Sequence, residues 1–355
     1  MSAQPNGADG FYAAADEETL KQRQRNAEWL KSEIEADTNE RDFVATELNA
    51  FLDIEFPESK PLLGSLLVEG SLGMLYAAAG CGKTFFGLGM AVSLTHGSSF
   101  LGFVAPAPAE GLYVDGEMKG RDIQTRAREL SRELDCMNVP LYIVTPDNSP
   151  RGIPKIDSAE GYDAMLRFLD GHPLIRFVVL DNLACLTRPA ADDPHGAYAW
   201  TFIQDLLLEL RRRNIAAWVV HHAGKDGKDR GASQRRDILD IVVSLTQTPD
   251  AMVTGRTEVK IAFEKARGMV PEEKVPFIAE LIAGQRGIAW VRSDKVVPLR
   301  EQVSEMLSTG MPPKSIAAAA GCSERYVYKV KCELNESAKV VQLKKPRKEP
   351  KPDHY

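Results

Sequence analysis

Short apolar runs alternate with amphipathic stretches of helix length between Leu62 and about Arg292. The runs are rich in Val, Ile, Leu and Tyr, and they read LGMLYAA, GLYVDG, PLYIVT, IRFVVLD, IAAWVVHH and ILDIVVSL. Strands of this continuous apolar kind, separated by helices, are typical of a parallel sheet that is buried on both faces. Two later runs, TEVKIAFEKARG and GIAWVRSDK, alternate apolar and polar residues, which predicts edge strands with one solvated face. We therefore predict an α/β fold with a mostly parallel sheet sandwiched by helices.

The two ends of the chain depart from this pattern. Residues 1–56 are polar and charged, and they predict an N-terminal arm that is partly helical or disordered. Residues 297–336 predict two short helices around a Gly-Cys-Ser turn, the second capped by Ser323, which is the pattern of a helix-turn-helix. A small helical bundle for protein contacts is the alternative. Residues 337–355 are rich in Lys and Pro, which predicts a disordered basic tail. The predicted order along the chain is therefore the arm, the α/β domain at 57–294, the helix-turn-helix and the tail.

Composition and charge add two constraints. Hydrophobic residues make up 44% of the chain and no apolar run approaches the ~20 residues of a membrane span. With no secretory pattern at the start and five scattered cysteines, this predicts a cytoplasmic protein without membrane contact. The net charge is −6, but residues 296–355 carry eleven Lys/Arg and seven Asp/Glu, net +4, so the remainder carries about −10. A basic end on an acidic body favours a local polyanion contact, and a solvated tail is the alternative.

The stretch AAAGCGKT, from Ala77 to Thr84, lies between a predicted strand and a predicted helix. It matches the phosphate-loop pattern G-x-x-x-x-G-K-[ST] except for alanine at the first position, which fits if residue 77 still belongs to the strand. Gly80 and Gly82 let the chain curl so that backbone N–H groups converge on an anion. Lys83 would reach the β and γ phosphates of ATP, and Thr84 would hold Mg²⁺. The predicted nucleotide-binding residues are Ala79, Gly80, Cys81, Gly82, Lys83, Thr84 and Phe85.

Polar residues end three further predicted strands. RFVVLDN ends in Asp181, whose carboxylate would support the magnesium shell together with the phosphate loop. GLYVDGEM ends with Asp115 and Glu117, and a carboxylate there is placed to activate the attacking water, unless it merely caps the next helix. IAAWVVHH ends in His221 and His222, which belong at the mouth of such a site or are structural histidines.

Six motifs follow one another along the chain: AAAGCGKT, YVDGEM, VVLDN, WVVHHAGKD, RGAS and KARG. In this order they resemble the motifs of the RecA-like P-loop ATPases, and most of all those of the RepA-type hexameric plasmid replication helicases. The resemblance covers about residues 60–292. It implies a catalytic Glu117, a γ-phosphate sensor at His222, and an arginine finger from Lys265 and Arg267 that reaches a neighbouring subunit's site. It also implies ATP and Mg²⁺ as cofactors and a homo-oligomer, a hexameric ring.

Two segments are candidates for DNA contacts. The segment 224–236, GKDGKDRGASQRR, lacks aromatic residues and therefore predicts backbone contacts to single-stranded DNA in a ring channel. Its candidates are Lys225, Lys228, Arg230, Arg235 and Arg236, of which Arg230 is also a possible finger. The stretch IAAAAGCSERYVYKVK resembles the second half of small DNA-binding units, and its candidates for duplex DNA are Arg325, Tyr328 and Lys329.

These patterns predict an ATP-hydrolysing, ring-forming DNA motor, the replicative helicase of a plasmid or other mobile element. The alternative is an ATP-dependent DNA-binding regulator or loader that does not unwind DNA.

Overall fold

The chain divides into two units, Met1–Glu58 and Ser59–Tyr355. The computed structural model describes residues 45–56, 58–132, 134, 139–188, 197–222, 237–285, 287–293 and 295–343. In the described part of the first unit, helix α1 spans Leu48–Leu52 and begins where the Glu47 side chain accepts backbone N–H groups. The rest of the predicted N-terminal arm, residues 1–44, lies outside the described residues.

The second unit is organised around one large sheet. Its strands, in chain order, are β1 (Pro61–Leu63), β2 (Leu67–Val68), β3 (Leu72–Ala77), β4 (Ser99–Phe100), β5 (Phe103–Val104), β6 (Glu110–Asp115), β7 (Leu141–Val144), β8 (Ile175–Asp181), β9 (Ala216–His222), β10 (Ile241–Gln247), β11 (Glu258–Ala266), β12 (Phe277–Gly284) and β13 (Gly287–Arg292). Nine of them form a sheet in the order β13-β12-β11-β10-β3-β9-β8-β6-β7, with β3 near its middle. The α/β fold class is confirmed.

The neighbours from β10 to β7 pair in parallel, and β11, β12 and β13 continue the sheet as antiparallel strands. All six continuous apolar runs are parallel strands, and both alternating runs are strands of the antiparallel edge. The prediction of a buried parallel sheet is therefore confirmed. Of the two predicted edge strands, β13 lies at the edge and is partly exposed. The prediction is wrong for β11, which is mostly buried because β12 and β13 continue the sheet beyond it.

Helices cover both faces of the sheet. They are α2 (Lys83–His96), α3 (Gly120–Ser131), α4 (Ala159–Asp170), α5 (Leu183–Leu186), α6 (Ala197–Arg212), α7 (Pro249–Thr254), α8 (Leu299–Ser308), α9 (Pro313–Ala319) and α10 (Glu324–Leu343). Successive residues of β3 point to opposite faces: Leu75 packs into the core beneath α2, whereas Met74 packs into the core beneath α6. This two-residue period explains why a strand buried on both faces reads as one continuous apolar run.

The last three helices form a small cluster with its own core of Val303, Met306, Ile316, Val327 and Val330. The chain turns between α9 and α10 at a glycine in the left-handed region, φ +64°. The predicted pair of helices around this turn is confirmed, although only α9 is short and α10 spans 20 residues.

Helix α10 begins as predicted and ends later than predicted. The hydroxyl of Ser323 accepts the N–H of Tyr326 at 3.2 Å and so caps the helix. The helix continues to Leu343, which corrects the prediction of disorder for residues 337–343. The reason is local: these residues include no proline, and the first proline beyond the helix is Pro346. Residues 344–355 lie outside the described part.

Ion pairs join this cluster to the sheet. On β11, Lys260 pairs with the carboxylates of Glu301 and Glu305 on α8, and Glu258 pairs with Lys295 at 2.8 Å. Burial, reinforced by the charge of Glu305, raises the pKa of the nearby Glu264 to about 7. The contact between the sheet and α8 is therefore ionic and carries an excess of carboxylates. In the residues described, no helix is both long and apolar enough to span a membrane.

Candidate active site

The strand order places the predicted site residues at one edge of the sheet. Strands β3, β9, β8 and β6 are consecutive parallel neighbours, so the segments that follow their carboxyl ends lie side by side. In the register, Ala77 pairs with His222 and Asp115 pairs with Asp181. We call this the carboxyl edge, and ligands of open α/β sheets bind at such edges.

The phosphate loop has the predicted backbone. Ala77 is the last residue of β3, so alanine is tolerated there. Gly80 and Gly82 have φ of +81° and +80°, in the left-handed region that favours glycine. Helix α2 begins directly after Gly82, and no side chain caps it. The first N–H groups of the helix are therefore available to an anion, as a phosphate requires.

Lys83 is buried within the loop. Its Nζ donates hydrogen bonds to the carbonyl oxygens of Ala77 at 3.1 Å and Ala78 at 2.7 Å. Burial lowers the pKa of Lys83, while the nearby Cys81, Asp181 and Glu117 raise it. The amine is held above the end of β3, from where it could exchange these carbonyls for phosphate oxygens.

Asp181 lies beside Thr84 on the neighbouring element. The carboxylate is buried, and burial raises its pKa, while hydrogen bonds from the hydroxyls of Tyr113, at 2.7 Å, and Thr84 lower it. A hydroxyl and a carboxylate supply the oxygen ligands that Mg²⁺ prefers. Thr84 and Asp181 therefore fit the predicted role of holding Mg²⁺. Burial and the Asp181 charge raise the pKa of Tyr113, which stays a hydrogen-bond donor.

The two acids after β6 have different roles. One oxygen of Asp115 accepts the N–H groups of Glu117, at 2.9 Å, and Met118, at 2.5 Å, so Asp115 is the residue that caps the turn. Burial raises the pKa of Asp115. The side chain of Glu117 is 55% exposed, and its carboxylate does not take part in this turn. Helix α3 begins at Gly120 without a side-chain cap at its N-cap position, so neither acid caps the next helix, and the catalytic role of Glu117 stays a prediction.

Asn182 connects Glu117 to His222. Its Nδ2 lies 2.5 Å from Oε2 of Glu117 and 3.0 Å from Nε2 of His222. An amide nitrogen only donates, so this geometry fits a neutral imidazole that accepts at Nε2. Burial and the charge of Lys83 lower the pKa of His222, which favours the same neutral form. Sequence reasoning missed Asn182, although its position directly after Asp181 was a usable signal.

Arg126 is a second residue that the sequence did not reveal. Its guanidinium lies over the ring of Phe85, 4.6 Å from the centroid, and so adds a positive charge beside the phosphate loop. It stands on α3, and no motif marks it. Only the packing of α3 against α2 brings it here.

Lys265 and Arg267 lie at the opposite, amino edge of the sheet. Ala266 pairs with Ile241, which pairs with Gly73, four residues before the end of β3. Because a strand advances about 3.3 Å per residue, this level is roughly 13 Å from the end of β3. The structure therefore does not bring Lys265 and Arg267 to the phosphate loop of their own chain.

The surroundings of this pair are polar. Nζ of Lys265 donates to the carbonyl oxygen of Asp237 at 3.1 Å, and burial followed by the charge of Arg267 lowers its pKa. Arg267 is exposed, and it lines a cavity of about 410 Å³ together with Arg211 and Asp240.

The DNA-contact candidates divide into two groups. Lys225, Lys228, Arg230, Arg235 and Arg236 lie outside the described residues, between β9 and β10. On α10, the side chains of the other three candidates are exposed, whereas Val327 and Val330 face the helical core. These three are Arg325, Tyr328 and Lys329.

The site combines a strand, a glycine loop and an uncapped helix, and it places a threonine beside an aspartate at the end of a strand. This combination defines a P-loop ATPase. The profile of the AAA domain family matches residues 36–228. The chain belongs to this family, which supports ATP-driven activity and implies binding of a nucleotide, typically with Mg²⁺.

Two further comparisons were made, with curated proteins and with solved structures. We found no significant match among curated proteins. Among solved structures, the KaiC-like protein PH0186 from the hyperthermophilic archaeon Pyrococcus horikoshii OT3 is similar at 15% identity and a TM-score of 0.43, covering 63% of this chain and 90% of that one.

Proposed function

We propose that this protein is a ring-forming DNA motor that hydrolyses ATP, and that it serves as the replicative helicase of a plasmid or other mobile element. The observation that carries the proposal is the separation of the predicted machinery between two edges of the sheet. Lys83, Asp181 and Glu117 meet at the carboxyl edge, whereas Lys265 and Arg267 lie at the amino edge. A catalytic role for the second group requires another copy of the chain.

The carboxyl edge supplies the hydrolytic chemistry. Lys83 and the N–H groups at the start of α2 bind the β and γ phosphates, and Thr84 and Asp181 would hold Mg²⁺, which supplies charge neutralisation when bound. Glu117 orients the attacking water and takes its proton. Asn182 holds Glu117 in place for this step.

The amino edge supplies the charge that a single chain lacks. In a ring, Arg267 of one subunit faces the γ-phosphate bound by the next and stabilises the charge that develops during transfer. Arg267 suits this role because it is exposed beside a cavity. Lys265 is less exposed and is held by the Asp237 carbonyl. We therefore assign the finger to Arg267 and support of that position to Lys265.

Coupling to DNA runs through His222. It contacts Asn182 next to the catalytic Glu117, and it is the last residue of β9, shortly before the basic segment 224–236. A change at the γ-phosphate therefore reaches the start of this segment through two side chains. We propose that the segment holds single-stranded DNA by its phosphates, with Lys225, Lys228, Arg230, Arg235 and Arg236 as contacts.

A second candidate function is an ATP-dependent regulator that binds duplex DNA and does not unwind it. The observation that favours it is the exposed face of α10, where Arg325, Tyr328 and Lys329 follow the turn of a helix-turn-helix. Such a helix can enter the major groove. The helicase remains the first choice because the Glu117–Asn182–His222 contacts connect hydrolysis to the basic segment.

The first test measures mass in solution with a non-hydrolysable ATP analogue, with and without single-stranded DNA. A ring predicts a defined oligomer with both ligands, and a monomer under all conditions would overturn the proposal.

The second test separates the two candidates. ATPase activity stimulated by single-stranded DNA, with strand displacement on a forked duplex, supports the helicase. ATP-dependent binding to one duplex site without displacement supports the regulator. An ATPase rate that is insensitive to any nucleic acid contradicts both.

A further inference from the structure

Trp290 of β13 packs against the phosphate loop. A Cβ atom placed on Gly82 would lie 2.9 Å from Cζ2 of Trp290 and 3.0 Å from Cγ2 of Thr257, the residue directly before β11. Both distances are too short for ordinary contacts between carbon atoms. Gly82 therefore has two reasons to be glycine: its φ of +80° and the two side chains behind it.

Several contacts hold the indole in this position. The Trp290 side chain is only 7% exposed, and its ring lies edge-on to Phe86 with centroids 6.3 Å apart. Strand β13 begins at Gly287, where an added Cβ would lie 2.3 Å from the carbonyl oxygen of Glu129 on α3. The strand is thus fixed at its start against α3 and further along against α2, so Trp290 has little freedom to move.

We propose that Trp290, with Thr257, is a positioning residue for the phosphate loop. This inference rests on the proposed ATPase function. The loop must hold its N–H groups at hydrogen-bond distance from the phosphates, and a displacement of 1 Å can cost about 100-fold in rate. Glycine residues make the loop adaptable but do not stiffen it. The indole supplies a rigid wall behind Gly82 and so selects the conformation that receives phosphate.

The chain offers a matched control for this role. Trp218 of β9 is 1% exposed and packs just as closely on a glycine, since a Cβ on Gly73 would lie 2.1 Å from its Cε3. Both indole N–H groups are buried without a hydrogen-bond partner among the described residues. Gly73, however, lies at the amino end of β3. Trp218→Phe therefore measures how much stability and affinity are lost when a buried indole that lies away from the phosphate loop is replaced by a smaller ring.

The test compares the full-length protein with Trp290→Phe and Trp218→Phe. Binding of a non-hydrolysable ATP analogue with Mg²⁺ is measured by calorimetry, and melting temperature is measured alongside. We expect both variants to lose similar stability. The dissociation constant should rise about tenfold in Trp290→Phe, corresponding to about 1.4 kcal/mol, and less than about twofold in Trp218→Phe.

A second readout follows the indole itself. Addition of the analogue should change the intrinsic fluorescence of the wild type and of Trp218→Phe, and most of this change should be absent from Trp290→Phe. If Trp290→Phe binds as tightly as the wild type, or keeps the full fluorescence change, the inference is overturned.

Two further outcomes are failure of Trp290→Phe to fold and failure of the wild type to bind nucleotide. If Trp290→Phe does not fold, Thr257→Ser removes only the second contact on Gly82. A dissociation constant raised about two- to threefold would then support the inference, and an unchanged one would overturn it. If the wild type itself binds no nucleotide, the proposed ATPase function fails first, and the inference falls with it.

Discussion

The two edges of the sheet differ in what one chain can complete. At the carboxyl edge, four neighbouring strands bring Lys83, Asp181, Glu117 and His222 into one connected site. At the amino edge, Arg267 is exposed beside a cavity and lies away from the phosphate loop of its own chain. The length of the strands, at about 3.3 Å per residue, separates the first site from the second.

This difference teaches that nucleotide binding and full catalytic power have different requirements. We expect one folded chain to suffice for binding, because the groups of the phosphate loop lie within a few residues of one another along the chain. The proposed finger needs a second copy, because β11 runs opposite to β10 and carries Arg267 away from the loop. The following predictions test this division in order of decreasing effect.

Lys83→Ala should abolish the site. Loss of the buried amine removes a charge-assisted hydrogen bond to phosphate, so nucleotide affinity should fall at least about 100-fold and hydrolysis should be undetectable. Calorimetry with ATP and Mg²⁺ measures the affinity. The control is Lys60→Ala, an exposed lysine near β1 that should bind normally. Normal binding by Lys83→Ala would refute the assignment of the phosphate loop.

Arg267→Ala should bind ATP normally and hydrolyse it about 1,000-fold more slowly, because the finger acts only on the transition state. The measurement is the steady-state ATPase rate at saturating ATP. Arg212→Ala, an exposed arginine at the same edge that pairs with Glu209 within α6, is the control and should retain activity.

Mixing provides the direct test of the two edges. Subunits with Arg267→Ala keep an intact carboxyl edge, and subunits with Lys83→Ala keep an intact amino edge. Mixed assemblies should therefore regain part of the ATPase activity. If no mixing ratio restores turnover, a finger that acts between subunits is ruled out.

Glu117→Gln should retain ATP binding and lose hydrolysis by roughly 100-fold or more, because the amide cannot accept the proton of the attacking water. Single-turnover hydrolysis of pre-bound ATP checks this. Glu110→Gln, at the other end of β6, changes the same residue type at the amino end of the strand and should turn over normally. Normal turnover in Glu117→Gln would show that another group is the base.

The smallest expected effect concerns β11, which runs between the two edges. The pKa of Glu264 is about 7 in the folded protein against 4.5 for a free carboxyl, so its burial destabilises the fold progressively as pH rises from about 4.5 to 7. Glu264→Gln stays neutral. It should be more stable than the wild type at pH 8, by on the order of 1–3 kcal/mol, with most of the gain lost near pH 5 and all of it below about pH 4.

Melting temperatures at pH 5 and pH 8 measure this effect, with Glu280→Gln on β12 as the control. Glu305, whose charge acts on Glu264, and its partner Lys260 are unchanged in all variants, so the comparison isolates one carboxyl group. Equal melting temperatures for Glu264→Gln and the wild type at pH 8 would contradict the raised pKa.

Much of the carboxyl edge could be predicted because its signals are local. An apolar run ending in aspartate predicted β8 and Asp181, and alanine at position 77 correctly predicted that the strand continues that far. These features depend on burial and on backbone conformation over a few residues, which neighbouring side chains determine. The same local rules failed at residues 337–343, where composition suggested disorder but no proline interrupts the helix.

The sequence by itself determined eight strands of the large sheet, the phosphate loop and the residue types at their ends, but it did not reveal β12. The tertiary structure alone decided which acid caps the turn, that Asn182 joins Glu117 to His222, and that Trp290 closes the space behind Gly82. It also decided that Arg267 lies away from the phosphate loop of its own chain. The physical reason is that such contacts depend on strand order and direction, which join residues up to about 200 positions apart and leave no pattern within any one segment.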